Sequence, residues 1–212
     1  MGVGTPAPLR RVGLFGGAFD PPHDAHLALA RTAIDALQLD QLLVVPTGDA
    51  WHKSRPLSPA TDRLAMCQLA FQSVPQVRVD DRELRREGAT YTIDTLTELR
   101  AGSPGAELFL LIGADQAAAF HSWRQAQDIV RIAIVTIAGR ADSAGAAMPF
   151  DSDNPLPGLH VPAGRVRLLS LPLQSHSATD VRRRVAAGLR IDHLVAPAVA
   201  GYIAHHHLYQ TV

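Results

Sequence analysis

An α/β fold built on a doubly wound parallel sheet is what this sequence predicts, and three observations carry it. Short apolar runs alternate with amphipathic stretches along the 212-residue chain, the order that βαβ units produce. "LFLLI" is apolar throughout and "IAIVTIAG" at all but one threonine, rather than at every second position, as strands covered by helices on both faces require. The early runs end in turn-forming residues, Gly-Gly or Pro-Thr-Gly, which marks the carboxyl edge where such sheets bind ligands.

In chain order, "RVGLFGG" reads as a buried strand. "HLALARTAIDAL" reads as a helix with Leu27, Ala30, Ile34 and Leu37 on one face. "QLLVVPTG" is a second strand, and "SPATDRLAMCQLAFQSV" a helix with Ser58 or Thr61 near its start. "QVRVDDREL" reads as a third strand, and "TIDTLTELRAG" as a short helix closed by Gly102. "ELFLLIGAD" and "RIAIVTIAGR" are strands on either side of one helix, "AAAFHSWRQAQDIV". After a Gly-, Pro-, Ala- and Asp-rich stretch, 141–163, expected to be a mobile loop, "RVRLLSLPL" is the last strand. "SATDVRRRVAAG" and "PAVAGYIAHHHL" are helices, and residues 175–212 read as a small helical C-terminal appendage. His205 to His207 suit the C-terminal end of the last helix.

Composition sets bounds on function. Apolar residues make up 47% and charged ones 19%, with a formal net charge of zero. A nucleic-acid partner held by diffuse phosphate attraction is therefore disfavoured. The single cysteine, Cys67, excludes an intramolecular disulfide and fits a reducing cytoplasm. Within "RLAMCQLAF" it reads as a small core residue rather than a nucleophile. Residues 1–10 read as a disordered leader rather than a signal peptide, and residues 11–212 as a single domain. No segment is long enough to span a bilayer. Assembly into a homo-oligomer is left open.

The stretch "GLFGGAFDPPHDAHLALA", residues 13–30, carries the most chemistry. Gly16 and Gly17 end the first strand, where a missing Cβ lets backbone N–H groups approach a ligand. Pro21 and Pro22 suit a loop entering a helix, and Asp20 is the expected cap. His23 and His26 are three apart, so both are expected on one helical face, at a helix N-terminus that favours anions. A phosphate beside them would push each imidazole toward its cationic form. Zinc is not indicated, because no third ligand lies nearby. Neither G-x-G-x-x-G nor G-x-x-x-x-G-K-[ST] occurs. Further on, Ser177-Ala178-Thr179-Asp180 has the spacing of a capping box, which predicts a second anion-binding helix start. Arg182 follows in the first turns, and its fork of donors suits phosphate oxygens. Arg183 and Arg184 read as a solvated face.

"GGAFDPPHDAH" resembles the G-G-x-F-x-P-x-H-x-G-H signature of nucleotidyltransferases, and "QSHSATDVRRR" resembles their I-S-[SA]-T-x-x-R motif. Ala25 stands where the family has Gly, and His176 where it has Ile. Over residues 11 to about 140 and 165 to 209 the chain most resembles the bacterial nicotinate-nucleotide adenylyltransferases. That resemblance implies a Rossmann-like sheet and catalytic roles for His23, His26 and Arg182. It implies an ATP site with Gly16, Gly17, Ala18, Phe19, Gly113, Asp115, Ser177 and Thr179. It implies a mononucleotide site with His52, Lys53, Thr90, Tyr91, Thr92 and Trp123. Lys53, in "PTGDAWHKS", would meet a phosphate, and main-chain N–H groups of "GATYTIDTL" would receive a pyridine carboxylate. Thr90 or Thr92 equally reads as a helix N-cap. Trp123 would stack on the pyridine ring. Asp115, in "IGAD", would hold ribose hydroxyls or a water on Mg²⁺. Arg140 sits where the family often has Arg-Pro-Gly, here followed by Ala141-Asp142.

The implied reaction joins ATP and nicotinate mononucleotide into deamido-NAD and pyrophosphate, with Mg²⁺ carried on the ATP phosphates. The nucleophile, a phosphate monoester, is already ionised near neutrality because its second pKa is about 6. No general base is needed, which agrees with the lack of a triad or paired-carboxylate motif. Sister adenylyltransferases acting on nicotinamide mononucleotide or phosphopantetheine share the histidine loop, and a cytidylyltransferase shares it too. "TYTIDTL" and "WHK" favour the nicotinate enzyme. A class I synthetase fragment would need a KMSKS-like segment. A non-catalytic nucleotide sensor on the same fold is the alternative from another class.

Overall fold

The computed structural model describes residues 9–48, 56–140, 154–171 and 177–210. Six parallel strands form one sheet: β1 (Arg11–Gly17), β2 (Gln41–Pro46), β3 (Val77–Val79), β4 (Glu107–Gly113), β5 (Ala133–Arg140) and β6 (Val166–Leu171). Their order, β3-β2-β1-β4-β5-β6, is the doubly wound, Rossmann-like one the sequence predicts. Strand order reverses between β1 and β4, so a crevice opens beyond their carboxyl ends.

Alternation of side chains splits the core in two. Val12 and Leu14 of β1 join Leu108, Leu110 and Ile112 of β4 on one face. Phe15, Phe109 and Leu111 point to the other. Helix α4 (Thr92–Gly102), α5 (Ala114–Ala118) and α6 (Ala126–Ile132) cover the first face through Leu96, Ala117 and Ile129. Helix α1 (Asp24–Leu37), α2 (Ala60–Phe71), α7 (Ala178–Ala186) and α8 (Pro197–His205) cover the second through Ala30, Met66, Val181 and Val199. Cys67 is a fully buried core residue, as expected, and burial pushes its thiol pKa up. The Tyr202 hydroxyl donates to Asp62 at 2.9 Å and ties α8 to α2. His205 ends α8, and the ring of His206 stacks on Tyr202 at 4.0 Å. No helix among the described residues is long and apolar enough to cross a membrane.

Two expected elements differ. The strand read from "QVRVDDREL" is only Val77–Val79, and the chain then turns into α3 (Arg82–Arg85). Asp80 makes the turn: its carboxylate accepts the Arg82 N–H at 3.0 Å and the Arg82 guanidinium at 3.0 and 2.7 Å. Such local side-chain bonds compete with extended structure. The single helix read from "AAAFHSWRQAQDIV" is broken into α5, a 3₁₀ turn (Phe120–Ser122) and α6. Phe120 is drawn fully into the core, and Gln125 adopts a left-handed φ of 52° before α6. Of the expected loop 141–163, residues 141–153 lie outside the described residues. In the remainder Leu156 is fully buried, and Gln127 exchanges two hydrogen bonds with the His160 backbone at 2.7 and 3.2 Å.

Burial alone would raise the Asp80 pKa, but the Arg82 hydrogen bonds and charge outweigh it and hold the carboxyl below its usual range. A carboxyl depressed in the folded state adds stability that is present above its unfolded pKa and lost as pH falls through the folded one. Denaturant midpoints measured from neutrality down to about pH 3 should therefore fall more steeply for the native chain than for Asp80→Asn. The variant should start lower at neutral pH, and the two curves should converge in acid.

Candidate active site

The loop leaving β1 is organised by its own side chains. The N-cap of α1 is His23, with extended φ and ψ of −141° and 174°, and not Asp20 as the sequence suggested. Asp20 is instead 2% exposed, with its carboxylate drawn inward by Tyr209 and Ser58. His23 therefore stands just outside the helix rather than on a shared helical face with His26. The two rings still converge, with centroids 3.9 Å apart. The reason is that the His23 N–H donates to His26 Nδ1 at 3.1 Å. With Nδ1 accepting, the proton of the neutral His26 ring sits on Nε2, which makes that atom a donor.

Phe19 lies beneath the pair. It is 2% exposed with a left-handed φ of 46°, and its ring meets His26 at 5.0 Å and Phe15 at 5.2 Å. Phe19 can therefore offer a ligand only its backbone. A Cβ on Gly17 would stand 3.1 Å from the Phe19 ring, so any larger residue there would have to displace the aromatic by a few tenths of an ångström. A Cβ on exposed Gly16 would meet nothing within 4 Å. Its bare backbone faces open space. The α1 start offers fewer donors than expected, because the Asp24 N–H is taken by the Leu194 carbonyl at 2.9 Å. Ala25 is the second residue of α1 and is half-buried.

Helix α7 begins with the predicted capping box. The Ser177 hydroxyl accepts the Asp180 N–H at 3.3 Å and donates to the Asp180 carboxylate at 2.8 Å, and the Ser177 N–H donates to the same carboxylate at 3.0 Å. These bonds depress the Asp180 pKa. This corrects the idea of a bare anion site, since the helix start already carries a carboxylate and the Ser177 hydroxyl is engaged. Positive charge comes instead from Arg182. Its Nη2 donates to Thr179 Oγ1 at 2.9 Å, and its Nη1 donates to the Asp20 carbonyl, 162 positions earlier, at 2.7 Å. The guanidinium thus reaches the loop that carries both histidines. Gly113 ends β4 as the extended N-cap of α5, and Asp115 is exposed in the first turn of α5. Arg140 ends β5.

The exits of β2 and the start of α4 meet beside this loop. Thr47 Oγ1 and Thr90 Oγ1 are 3.5 Å apart. A Cβ on Gly48 would stand 2.3 Å from the Glu83 carbonyl oxygen, so only glycine fits. Glu83 is buried, and its Oε1 accepts the Thr95 hydroxyl at 2.7 Å. Burial raises its pKa, opposed by Thr95, Arg86 and the hydroxyls of Thr90 and Thr47. The N-cap of α4 is Tyr91, with no side-chain cap bond, rather than Thr90 or Thr92. First-turn N–H groups of a helix have no intrahelical acceptor, so this end presents backbone donors around Thr92. The Arg124 guanidinium lies 4.5 Å over the Tyr91 ring. Trp123 is half-buried with its ring 4.9 Å from Phe120, against the core edge. His52, Lys53 and His176 lie outside the described residues.

Sequence reasoning missed Glu83, Arg63 and Tyr209. Arg63 is 3% exposed and its Nη1 donates to the carbonyls of Ala18 and Thr47 at 3.1 and 2.9 Å. It falls one helical turn before Met66 and Cys67 on the buried face of α2, and a cation at helical spacing from apolar residues is the signal that could have found it. Nothing local marks Tyr209, whose partner Asp20 is 189 positions away.

Comparison with known proteins gives the family and the fold. A profile of the Cytidylyltransferase-like family matches residues 14–184. A protein of Albidiferax ferrireducens called "Probable nicotinate-nucleotide adenylyltransferase" is 54% identical over 203 residues, covering 96% of this chain and all of that protein. One of Neisseria meningitidis serogroup B with the same description is 38% identical over 202 residues, covering 95% of this chain and all of that protein. The fold is shared with the nicotinic acid mononucleotide adenylyltransferase of Plasmodium falciparum solved with NaAD, at a TM-score of 0.72 and 18% identity over 94% of this chain and 97% of that one. The chain belongs to the nicotinate-nucleotide adenylyltransferase family.

Proposed function

We propose that this protein transfers the adenylyl group of ATP to nicotinate mononucleotide, releasing pyrophosphate and forming nicotinate adenine dinucleotide. The observation that carries the reading is the hydrogen bond from Arg182 to the Asp20 carbonyl. It brings a guanidinium to the loop that ends in the closely spaced rings of His23 and His26. Three side chains able to donate to phosphate oxygens at one switch point suit the phosphates of a nucleotide.

The chemistry asked of the protein is positioning and charge stabilisation. The mononucleotide phosphate is its own nucleophile, since its second pKa of about 6 leaves it ionised at neutral pH. The site must hold two mutually repelling anions in line and accept the charge that grows on departing pyrophosphate. His26 does this through Nε2–H, since its Nδ1 is occupied. His23 adds a second imidazole, and Arg182 a fork of donors for the leaving phosphates. Gly16 and Gly17 let the triphosphate lie against backbone, and Gly113 leaves room at the neighbouring strand end. Asp115, exposed at the start of α5, suits ribose hydroxyls or a water on Mg²⁺. The metal would come on the ATP phosphates and supply charge neutralisation there. On the acceptor side, the start of α4 at Tyr91 and Thr92 receives the pyridine carboxylate, Thr90 braces that turn, and Trp123 offers a stacking face. His52 and Lys53 take the mononucleotide phosphate.

The direct test mixes the purified protein and ATP with nicotinate mononucleotide or with nicotinamide mononucleotide, and measures pyrophosphate and dinucleotide. Rapid product from the acid and slow product from the amide is the expected result. Equal rates would move the protein to a sister activity, and no product from either would leave the sensor alternative. Trp123→Ala is expected to raise KM for the mononucleotide about 10-fold, in line with about 1–1.5 kcal/mol for an aromatic stack, and to leave KM for ATP near its original value. Equal changes in both would assign Trp123 to packing alone.

A further inference from the structure

We propose that Arg63, Asp20 and Tyr209 form a buried clamp that positions the two substrate loops against each other for transfer, an inference that rests on the adenylyl-transfer reading above. Arg63 occupies a core position in α2 that an apolar residue would fill at lower cost, because burying a guanidinium is expensive unless its donors are used. They are used on the loops that face the site. Nε donates to the Ser58 carbonyl at 3.1 Å, and Nη1 donates to the Ala18 carbonyl at 3.1 Å and the Thr47 carbonyl at 2.9 Å. Ala18 belongs to the loop that leads to His23. Thr47 and Ser58 flank the segment that contains His52 and Lys53. One side chain therefore holds the loop expected to grip ATP and the loop expected to grip the mononucleotide.

Asp20 closes the arrangement. Burial lowers the Arg63 pKa, and the negative charge of Asp20 opposes that shift in part. One carboxylate oxygen accepts the Ser58 N–H at 3.2 Å and the other accepts the Tyr209 hydroxyl at 2.6 Å. Burial raises the Tyr209 pKa, so its hydroxyl remains a donor. The Asp20 carbonyl is the group that Arg182 grips. The backbone adds a direct tie, since the Thr47 N–H donates to the Gly17 carbonyl at 2.8 Å. None of the three side chains need touch a substrate. They are positioning residues, and in-line transfer is the step most sensitive to them, because a shift of about 1 Å can cost about 10²-fold in rate.

The test compares the full chain with Arg63→Lys, Tyr209→Phe and a control, Val199→Ala, which opens a cavity under α8 without removing a bond of the clamp. Thermal unfolding is measured beside kcat and both KM values. A clamp predicts that Arg63→Lys and Tyr209→Phe lose about 10-fold or more in kcat, with smaller changes in either KM. Val199→Ala should lose stability and keep its kcat within about twofold. The clamp is overturned if the two variants keep kcat within about twofold of the native value, or if the control loses as much as they do. Should Arg63→Lys fail to fold, Tyr209→Phe decides by the same criterion. An inactive native chain would overturn the adenylyl-transfer reading and the clamp with it, whereas an active native chain with unaffected variants overturns the clamp alone.

Discussion

Replacing His26 with alanine is expected to lower kcat for dinucleotide formation by about 10²- to 10³-fold, the cost of removing one preorganised donor from developing negative charge. Stability should fall by only about 1 kcal/mol, through the lost edge contacts with Phe19 and Phe15. The geometry allows a sharper version. His26 Nδ1 accepts the His23 N–H, so in the proposed mechanism the donor to phosphate is Nε2. Asparagine can imitate Nδ1 and glutamine can imitate Nε2. His26→Asn should keep the helix start and remain as slow as alanine. His26→Gln should recover part of the rate. Full recovery by asparagine would show that the ring serves only to cap α1. Steady-state rates and thermal melts on the same preparations separate the two roles.

Arg182→Met is expected to lower kcat/KM for ATP by about 10³-fold, because it removes a charged donor fork from the triphosphate. It also frees the Asp20 carbonyl and the Thr179 hydroxyl. Arg182→Lys should recover little, since an ammonium cannot bridge the same two acceptors in a plane. The unfolding midpoint should move by far less than for a core change, because Arg182 is only half-buried. A lysine variant with native kcat/KM would mean that charge alone suffices and that the fork is incidental.

How much of this was legible beforehand depended on whether the deciding interaction was local. The central strands were legible because a parallel sheet covered on both faces needs apolar residues at successive positions, and Leu108 to Ile112 supply them. The capping box at Ser177 and Asp180 was legible because its partners are three residues apart. The cap of α1 was misjudged because Asp20, a good capping type, is claimed by Tyr209 from the far end of the chain. His23, a less favoured capping residue, takes its place. The split helix after β4 failed for a similar reason. Its alanine-rich sequence suits a helix, but burial of Phe120 decides the path. At the site, the histidines and Arg182 stood out through spacing and resemblance. Arg63 hid in plain view on an apolar stripe, and Glu83 was absorbed into a supposed strand.

The bonds that Asp20 makes to Arg182 and Tyr209 also bear on how the protein matures. A chain leaving the ribosome exposes the histidine loop early, but the groups that brace it emerge 162 and 189 positions later. β1 likewise waits for β4 before the crevice between them exists. During translation, at about 5–20 residues per second, the histidine loop therefore waits for Arg182 and then Tyr209 to emerge before its two braces can close.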